Sequence, residues 1–161
     1  MKNIVLVGFA TSGKTTVGKL LANKLGCNFV DCDQLLEAQH GKSIAELFSD
    51  GEQAFRKLEN QLLSTLPTTD AVVACGGGAV LNKNFELLSQ GATVVWLQIG
   101  VDTCLSRLGT TKRPLHDGKD SEWLAKLWAE RNALYQQFAN VVVDANGTVD
   151  NVVNEILCKL K

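Results

Sequence analysis

The sequence predicts an α/β protein, a three-layer sandwich with helices on both faces of a five-stranded parallel sheet. Three observations predict it. Strand-like and helix-like segments alternate along the 161 residues, the pattern of successive βα units. The strand-like segments, such as Ile4-Val5-Leu6-Val7 and Thr93-Val94-Val95-Trp96-Leu97, are apolar throughout rather than alternating, as in strands covered on both faces. Finally, Gly8-Phe9-Ala10-Thr11-Ser12-Gly13-Lys14-Thr15-Thr16 matches the phosphate-binding pattern G-x-x-x-x-G-K-[ST] between a strand and a helix.

Each element has its own signal. Asn3–Val7 reads as a buried strand, and Val17, Leu20, Leu21 and Leu25 recur at helical spacing behind Lys14, with Gly26 as the stop. Asn28-Phe29-Val30 is a second strand, running into Asp31-Cys32-Asp33, which reads as extended. Ser43-Ile44-Ala45-Glu46 has capping-box spacing and opens a short helix that Asp50-Gly51 breaks. The next helix carries Phe55, Leu58, Leu62 and Leu66 on one face and ends before Pro67. Ala71–Ala74 is the third strand, followed by Gly76-Gly77-Gly78 and a helix over about 82–90.

Thr93–Leu97 is the fourth strand, with a short helix near Asp102–Leu108. Gly109 to Asp120 is polar and aperiodic and reads as a mobile surface loop. A long helix takes in Leu124, Leu127, Trp128, Leu134, Tyr135 and Phe138, and Val141-Val142-Val143 is the fifth strand. Val149, Val152, Val153, Ile156, Leu157 and Leu160 form the apolar stripe of the closing helix.

Composition sets the limits. The length suits one domain, residues 1–161, with 45% apolar and 20% charged residues, as in an ordinary folded protein. A net charge of −1 gives no overall attraction to nucleic acid or anionic membrane. No apolar run reaches the length of a membrane span, and the N-terminus enters a strand directly, with no signal peptide. Five cysteines without a paired spacing point to reduced, buried thiols rather than disulfides or zinc, and hence to the cytoplasm.

Several residues then become candidates. The loop amides of Thr11–Thr16 and the Lys14 ammonium suit nucleotide phosphates, and the Thr15 hydroxyl suits Mg²⁺. Asp31 and Asp33 stand at a strand's carboxyl end, where ligands of such sheets sit. If both are extended, their carboxylates point the same way; one could support Mg²⁺ through water and the other accept a substrate hydroxyl. A solvated acidic turn is the plain alternative. Gly76-Gly77-Gly78 allows close approach of a ligand to backbone or is merely a flexible turn. Trp128, Arg131 and Tyr135 fall at i, i+3, i+7, so Arg131 lies on an apolar stripe, where a buried guanidinium needs an anion unless it snorkels to the edge. Arg56, with Glu59 three residues on, could form a surface ion pair or, with Arg131, receive a carboxylate. Arg113 in the polar loop could act as an arginine finger or serve solubility. His116 reads as exposed.

In order, the P-loop, Asp31-x-Asp33, Phe55-Arg56-x-x-Glu59, Gly76-Gly77-Gly78, Arg113-Pro114-Leu115 and Arg131-x-x-x-Tyr135 resemble shikimate kinase nearly end to end. The resemblance implies a nucleoside-monophosphate-kinase-like P-loop fold, substrate-binding helices over about 32–61 and a mobile lid over about 109–119. It implies ATP-dependent phosphorylation of the shikimate 3-hydroxyl in aromatic amino-acid biosynthesis by a cytoplasmic monomer. It places Thr11, Ser12, Gly13, Lys14, Thr15, Thr16 and Arg113 at ATP, and Thr15 and (through water) Asp31 at Mg²⁺. It places Asp33, Arg56, Gly77 and Arg131 at shikimate, with Lys14, Asp33 and Arg113 catalytic. Thr11 stands where the family usually has glycine, and Asp144-Ala145-Asn146-Gly147 lacks the basic residue often found near adenine. A gluconate kinase, a nucleoside-monophosphate kinase or a non-catalytic nucleotide-binding module would share the P-loop. The base-reading motif of a GTPase is missing, since Asn82-Lys83-Asn84 is followed by Phe85.

Overall fold

A computed structural model describes residues 1–108 and 121–161. Five parallel strands, β1 (Asn3–Val7), β2 (Asn28–Asp31), β3 (Ala71–Ala74), β4 (Ala92–Gln98) and β5 (Val141–Asp144), form one sheet in the order β2-β3-β1-β4-β5. The central strand is buried along its whole length. It pairs with β3 on one side, Val5 opposite Val73, and with β4 on the other, Val5 opposite Val94. This accounts for the continuous apolar runs: a side chain on either face of these strands meets a helix.

Eight helices are described: α1 (Lys14–Leu25), α2 (Cys32–His40), α3 (Ile44–Phe48), α4 (Glu52–Leu63), α5 (Lys83–Gln90), α6 (Val101–Leu108), α7 (Ser121–Phe138) and α8 (Val149–Lys159). A 3-10 turn over Ala79–Leu81 precedes α5. The capping box holds at α3, where Ser43 Oγ accepts from Glu46 N and Glu46 reaches back to Ser43 N. The polar start of β1 is also satisfied. Asn3, buried, accepts from Ala71 N at 3.0 Å and donates to Pro67 O.

Two sequence expectations are corrected. The helix expected to reach Pro67 stops at Leu63. Ser64 and Thr65 instead make tight i→i−3 backbone bonds, and their hydroxyls donate to Gln61 O and Leu62 O, local bonds that compete with continued α-helix. The second correction concerns Asp31-Cys32-Asp33, which is not extended throughout. The strand ends at Asp31, whose carboxylate accepts from Gln34 N at 3.0 Å and caps α2. Asp33 therefore sits in the first helical turn, and the two carboxylates are not related by strand alternation.

The core continues past the sheet edge through aromatic contacts. Phe85, fully buried, meets the Phe138 ring edge-on at a centroid distance of 5.0 Å, tying α5 to the end of α7. Truncating such a ring leaves a cavity that closes only partly. Phe85→Ala is expected to lower unfolding free energy by about 3–5 kcal/mol in urea titration while leaving ATP affinity within twofold. A shift below 1 kcal/mol, on the same scale, would show that α5 is not anchored through this ring.

Candidate active site

The carboxyl ends of β1, β2 and β3 open into a cleft of about 410 Å³, a size usual for small-molecule sites. At one end β1 passes into the P-loop and α1. Lys14 Nζ donates to Gly8 O at 2.7 Å and Phe9 O at 3.1 Å, so the ammonium arches over the loop whose amides open α1. That arrangement places a full positive charge beside the positive end of a helix dipole.

Next to it, Thr15 Oγ1 donates to Asp31 Oδ2 at 2.6 Å. Asp31 is thereby held by α1 from one side and by the Gln34 amide from the other. A hydroxyl and a carboxylate in contact form a hard-oxygen pair that fits Mg²⁺ rather than a soft metal. Asp33 lines the same cleft.

The opposite end rests on Glu59. The sequence left open an exposed i,i+3 pair for Arg56 and Glu59. The structure buries Glu59 to 1% exposure, so this is no surface pair. Arg56 Nη1 donates to Glu59 Oε1 at 2.8 Å, Asn82 Nδ2 donates to the same oxygen at 2.7 Å, and Glu52 accepts from Arg56 Nη2 at 3.4 Å. The guanidinium also lies 5.8 and 5.4 Å from the ring centroids of Phe48 and Phe55, which stack on each other.

The glycine run fits against this cluster. A Cβ at Gly76 would lie 2.9 Å from Glu59 Oε2 and 3.1 Å from Asp33 Oδ1, and one at Gly78 would overlap the Arg56 guanidinium. Glycine here is a requirement of space, not a flexible turn. At Gly77 the backbone carbonyl accepts from the Tyr135 hydroxyl and, at 3.4 Å, from Arg131 Nη1.

Arg131 stays buried, with 8% exposure, so it does not snorkel away from the apolar stripe. Burial pushes its guanidinium below the usual arginine range, aided by the positive charge of Arg56; arginine still keeps its proton at neutral pH, because its ordinary value is so high. Burial likewise pushes the Tyr135 phenol up, leaving a neutral donor to Gly77. Arg56 is paired with both Glu59 and Glu52, whereas Arg131 forms no ion pair with a carboxylate among the described residues, so the buried guanidinium of Arg131 is the one that suits an anion.

One residue was missed by sequence reasoning. Arg107, at the end of α6, donates from Nη1 to Thr11 O at 2.8 Å and from Nη2 to Ala145 O at 3.2 Å and Asn146 O at 3.5 Å. It brings a cation to the turn after β5, where the local sequence has none. An arginine in a helix's last turn was the available signal, but nothing local told which loop it reaches. Thr11 itself has φ 71°, the left-handed region a β-branched residue seldom enters, and its buried hydroxyl has no hydrogen-bond partner among the described residues. Arg113 and the expected lid lie outside the described residues.

The shikimate kinase family model matches residues 10–161. The chain belongs to the shikimate kinase family. A shikimate kinase of Moorella thermoacetica is 44% identical over 149 residues, covering 90% of this chain and 86% of that protein. A solved shikimate kinase from Acinetobacter baumannii, in complex with shikimate, superposes with a TM-score of 0.94 at 36% identity, over 99% of this chain and 93% of the other. A gluconokinase from Sinorhizobium meliloti shares the fold alone, with a TM-score of 0.63 at 18% identity over 99% of this chain and 91% of the other. The expected P-loop kinase fold and five-stranded parallel sheet are therefore those of the family, and the chain is an ATP-using kinase.

Glu59 carries the clearest energetic expectation at this site. Removing it leaves the buried Asn82 amide without its carboxylate and Arg56 with only the more distant, half-exposed Glu52, and breaking one partner of a buried pair costs about 3–5 kcal/mol. Glu59→Ala is expected to lose stability on that scale in urea titration. An unchanged midpoint would mean that Glu52 and the Phe48–Phe55 stack hold Arg56 without Glu59.

Proposed function

We propose that the chain transfers the γ-phosphoryl group of ATP to the 3-hydroxyl of shikimate, as a single domain acting as a cytoplasmic monomer. The observation that carries this reading is one cleft with a P-loop lysine at one end and, at the other, the buried Arg131, which has no carboxylate ion pair among the described residues, beside a second arginine, Arg56. That combination suits a small hydroxylated carboxylate next to a nucleoside triphosphate. The two arginines favour it over gluconate kinase chemistry only in concert with family membership. Among the described residues, no helix is long and apolar enough to cross a membrane.

In this reading the amides of Thr11–Thr16 and Lys14 take the phosphates, with Ser12 and Gly13 shaping the loop. Thr15 would hold Mg²⁺ directly and Asp31 would do so through water. The metal, when bound, offsets charge on the phosphate oxygens. Arg131 and Arg56 hold the shikimate carboxylate, and the Gly77 backbone, fixed by Tyr135, lies against the ring. Asp33 accepts the hydroxyl proton as the oxygen attacks the γ-phosphorus. Because the transferred group needs little covalent help, positioning and charge carry the rate. Arg113 is assigned to the phosphates as the remaining catalytic cation.

The deciding experiment is ADP release from Mg·ATP with shikimate, gluconate and nucleoside monophosphates offered separately. Turnover is expected with shikimate alone, and equal turnover with another acceptor would overturn the reading. In the same assay, Asp33→Asn is expected to lower kcat by roughly 10²–10⁴-fold, the range of general base catalysis, with little change in ATP binding. A defect confined to ATP affinity would move Asp33 to the metal side.

Arg131 tests the acceptor end. Truncating one partner of a desolvated charge pair costs about 2–5 kcal/mol, so Arg131→Ala should weaken shikimate binding on that scale, with ATP affinity changed only a few-fold. Arg131→Lys keeps charge but loses the planar fork and should recover part of the loss. Methyl shikimate, lacking the carboxylate charge, should be insensitive to Arg131→Ala; full sensitivity would make Arg131 a packing residue.

A further inference from the structure

The mechanism leaves two buried thiols unused beside its acceptor site. Register pairs Asp31 of β2 with Ala74 of β3, so the next residues of the two strands, Cys32 and Cys75, come side by side. Both are buried, at 0% and 2% exposure, and both are free thiols. The Cys75 thiol beside it, with burial, pushes the Cys32 thiol well above its ordinary range. Paired strands lie about 4.7–4.9 Å apart, within the roughly 4.4–6.8 Å Cα separation that a disulfide spans, and each cysteine follows directly on the last paired residue of its strand.

Their neighbours make the pair consequential. Cys32 lies between Asp31, the cap of α2, and Asp33, whereas Cys75 precedes Gly76 and itself lines the cleft. Joining the sulfurs draws them to about 2 Å, a shift that the residues on either side of each cysteine, Asp33 and Gly76 among them, must take up. The space a Cβ at Gly76 would take is already bounded by Glu59 and Asp33.

We propose that Cys32 and Cys75 form a peroxide-sensitive dithiol site whose disulfide switches the kinase off by displacing Asp33 and the Gly76–Gly78 backbone. The inference rests on the shikimate reading for what is switched off, not for the chemistry of the bond. Cys75, which borders the cleft, loses its proton and attacks one oxygen of hydrogen peroxide. The O–O bond breaks, hydroxide leaves and takes up a proton, and a sulfenic acid remains. The Cys32 sulfur, giving up its proton, attacks the Cys75 sulfur, and the sulfenic oxygen leaves as a second water. Two thiols are oxidised by two electrons, and one peroxide is reduced to two waters. A small-molecule dithiol reverses the step by exchange. Burial makes closure slow, and in a reducing compartment the pair rests as thiols, as with other transient regulatory disulfides.

The test uses the full chain carrying Cys158→Ser, which removes the exposed thiol. Reduced enzyme is first assayed with shikimate and Mg·ATP, then exposed to hydrogen peroxide, alkylated and peptide-mapped. The expected product is a Cys32–Cys75 cross-linked peptide lacking two hydrogen atoms. kcat/KM for shikimate should fall in proportion to the cross-link, by roughly 10²-fold when complete, the scale of an ångström-sized misplacement. Dithiothreitol should restore both, and saturating shikimate should slow closure. Cys32→Ala should keep turnover and lose the reversible inactivation. No cross-link, a cross-link with full activity, or reversible inactivation surviving in Cys32→Ala would each overturn the proposal. Reduced enzyme inactive on shikimate would instead refute the functional reading, and with it the kinase half of this proposal, while the peptide map still decides whether the bond forms.

Discussion

A carboxylate withdrawn almost completely from water is stable only if its charge is met by donors fixed in place, and Glu59 meets that condition at Oε1, through Arg56 and Asn82, while Oε2 has no hydrogen-bond partner among the described residues. The three residues come from α4 and from the cap of α5, so one ionic contact sets how the acceptor-side helices sit against the glycine run after β3. Everything at that end of the cleft is referenced to it. Arg56 is aimed by Glu59 and two phenylalanine rings, Gly76 and Gly78 are small because Glu59 and Arg56 fill the space beside them, and Gly77 is left with its carbonyl turned to Tyr135 and Arg131. The cost of burying Glu59 is thus coupled to the shape of the binding site rather than to stability alone.

The sheet was legible because its determinants are local. Continuous apolar runs mark doubly covered strands, and the P-loop carries its own flanking strand and helix, so β1 and α1 followed from one stretch of sequence. Elements governed by competing local bonds were not. The start of α2 looked like the end of a strand because Asp31 serves both, closing β2 with its backbone and capping α2 with its side chain. The end of α4 was overextended because Leu66 keeps the helical period and is buried, although the chain there has already turned.

At the site, Arg131 could be singled out from helical phase, since a guanidinium on an apolar stripe is anomalous whatever the fold. The meaning of Arg56–Glu59 could not be read the same way. An i,i+3 pair looks identical on an exposed and a buried face, and only the packing of Asn82 and the glycines distinguishes them. Arg107 was illegible for a different reason. Its acceptors are backbone carbonyls of Thr11, Ala145 and Asn146, more than thirty residues away in sequence, and carbonyls leave no trace in side-chain patterns.

The left-handed backbone of Thr11 has a consequence for how this P-loop tolerates change. For a residue with a Cβ that conformation costs roughly 1–2 kcal/mol, and the threonine hydroxyl finds no hydrogen-bond partner among the described residues. Arg107 grips the Thr11 carbonyl from outside the motif, beside the bonds that Lys14 makes to Gly8 O and Phe9 O within it. A substitution at 107, far from the phosphate-binding pattern in sequence, therefore reaches the backbone of that pattern at its most strained residue.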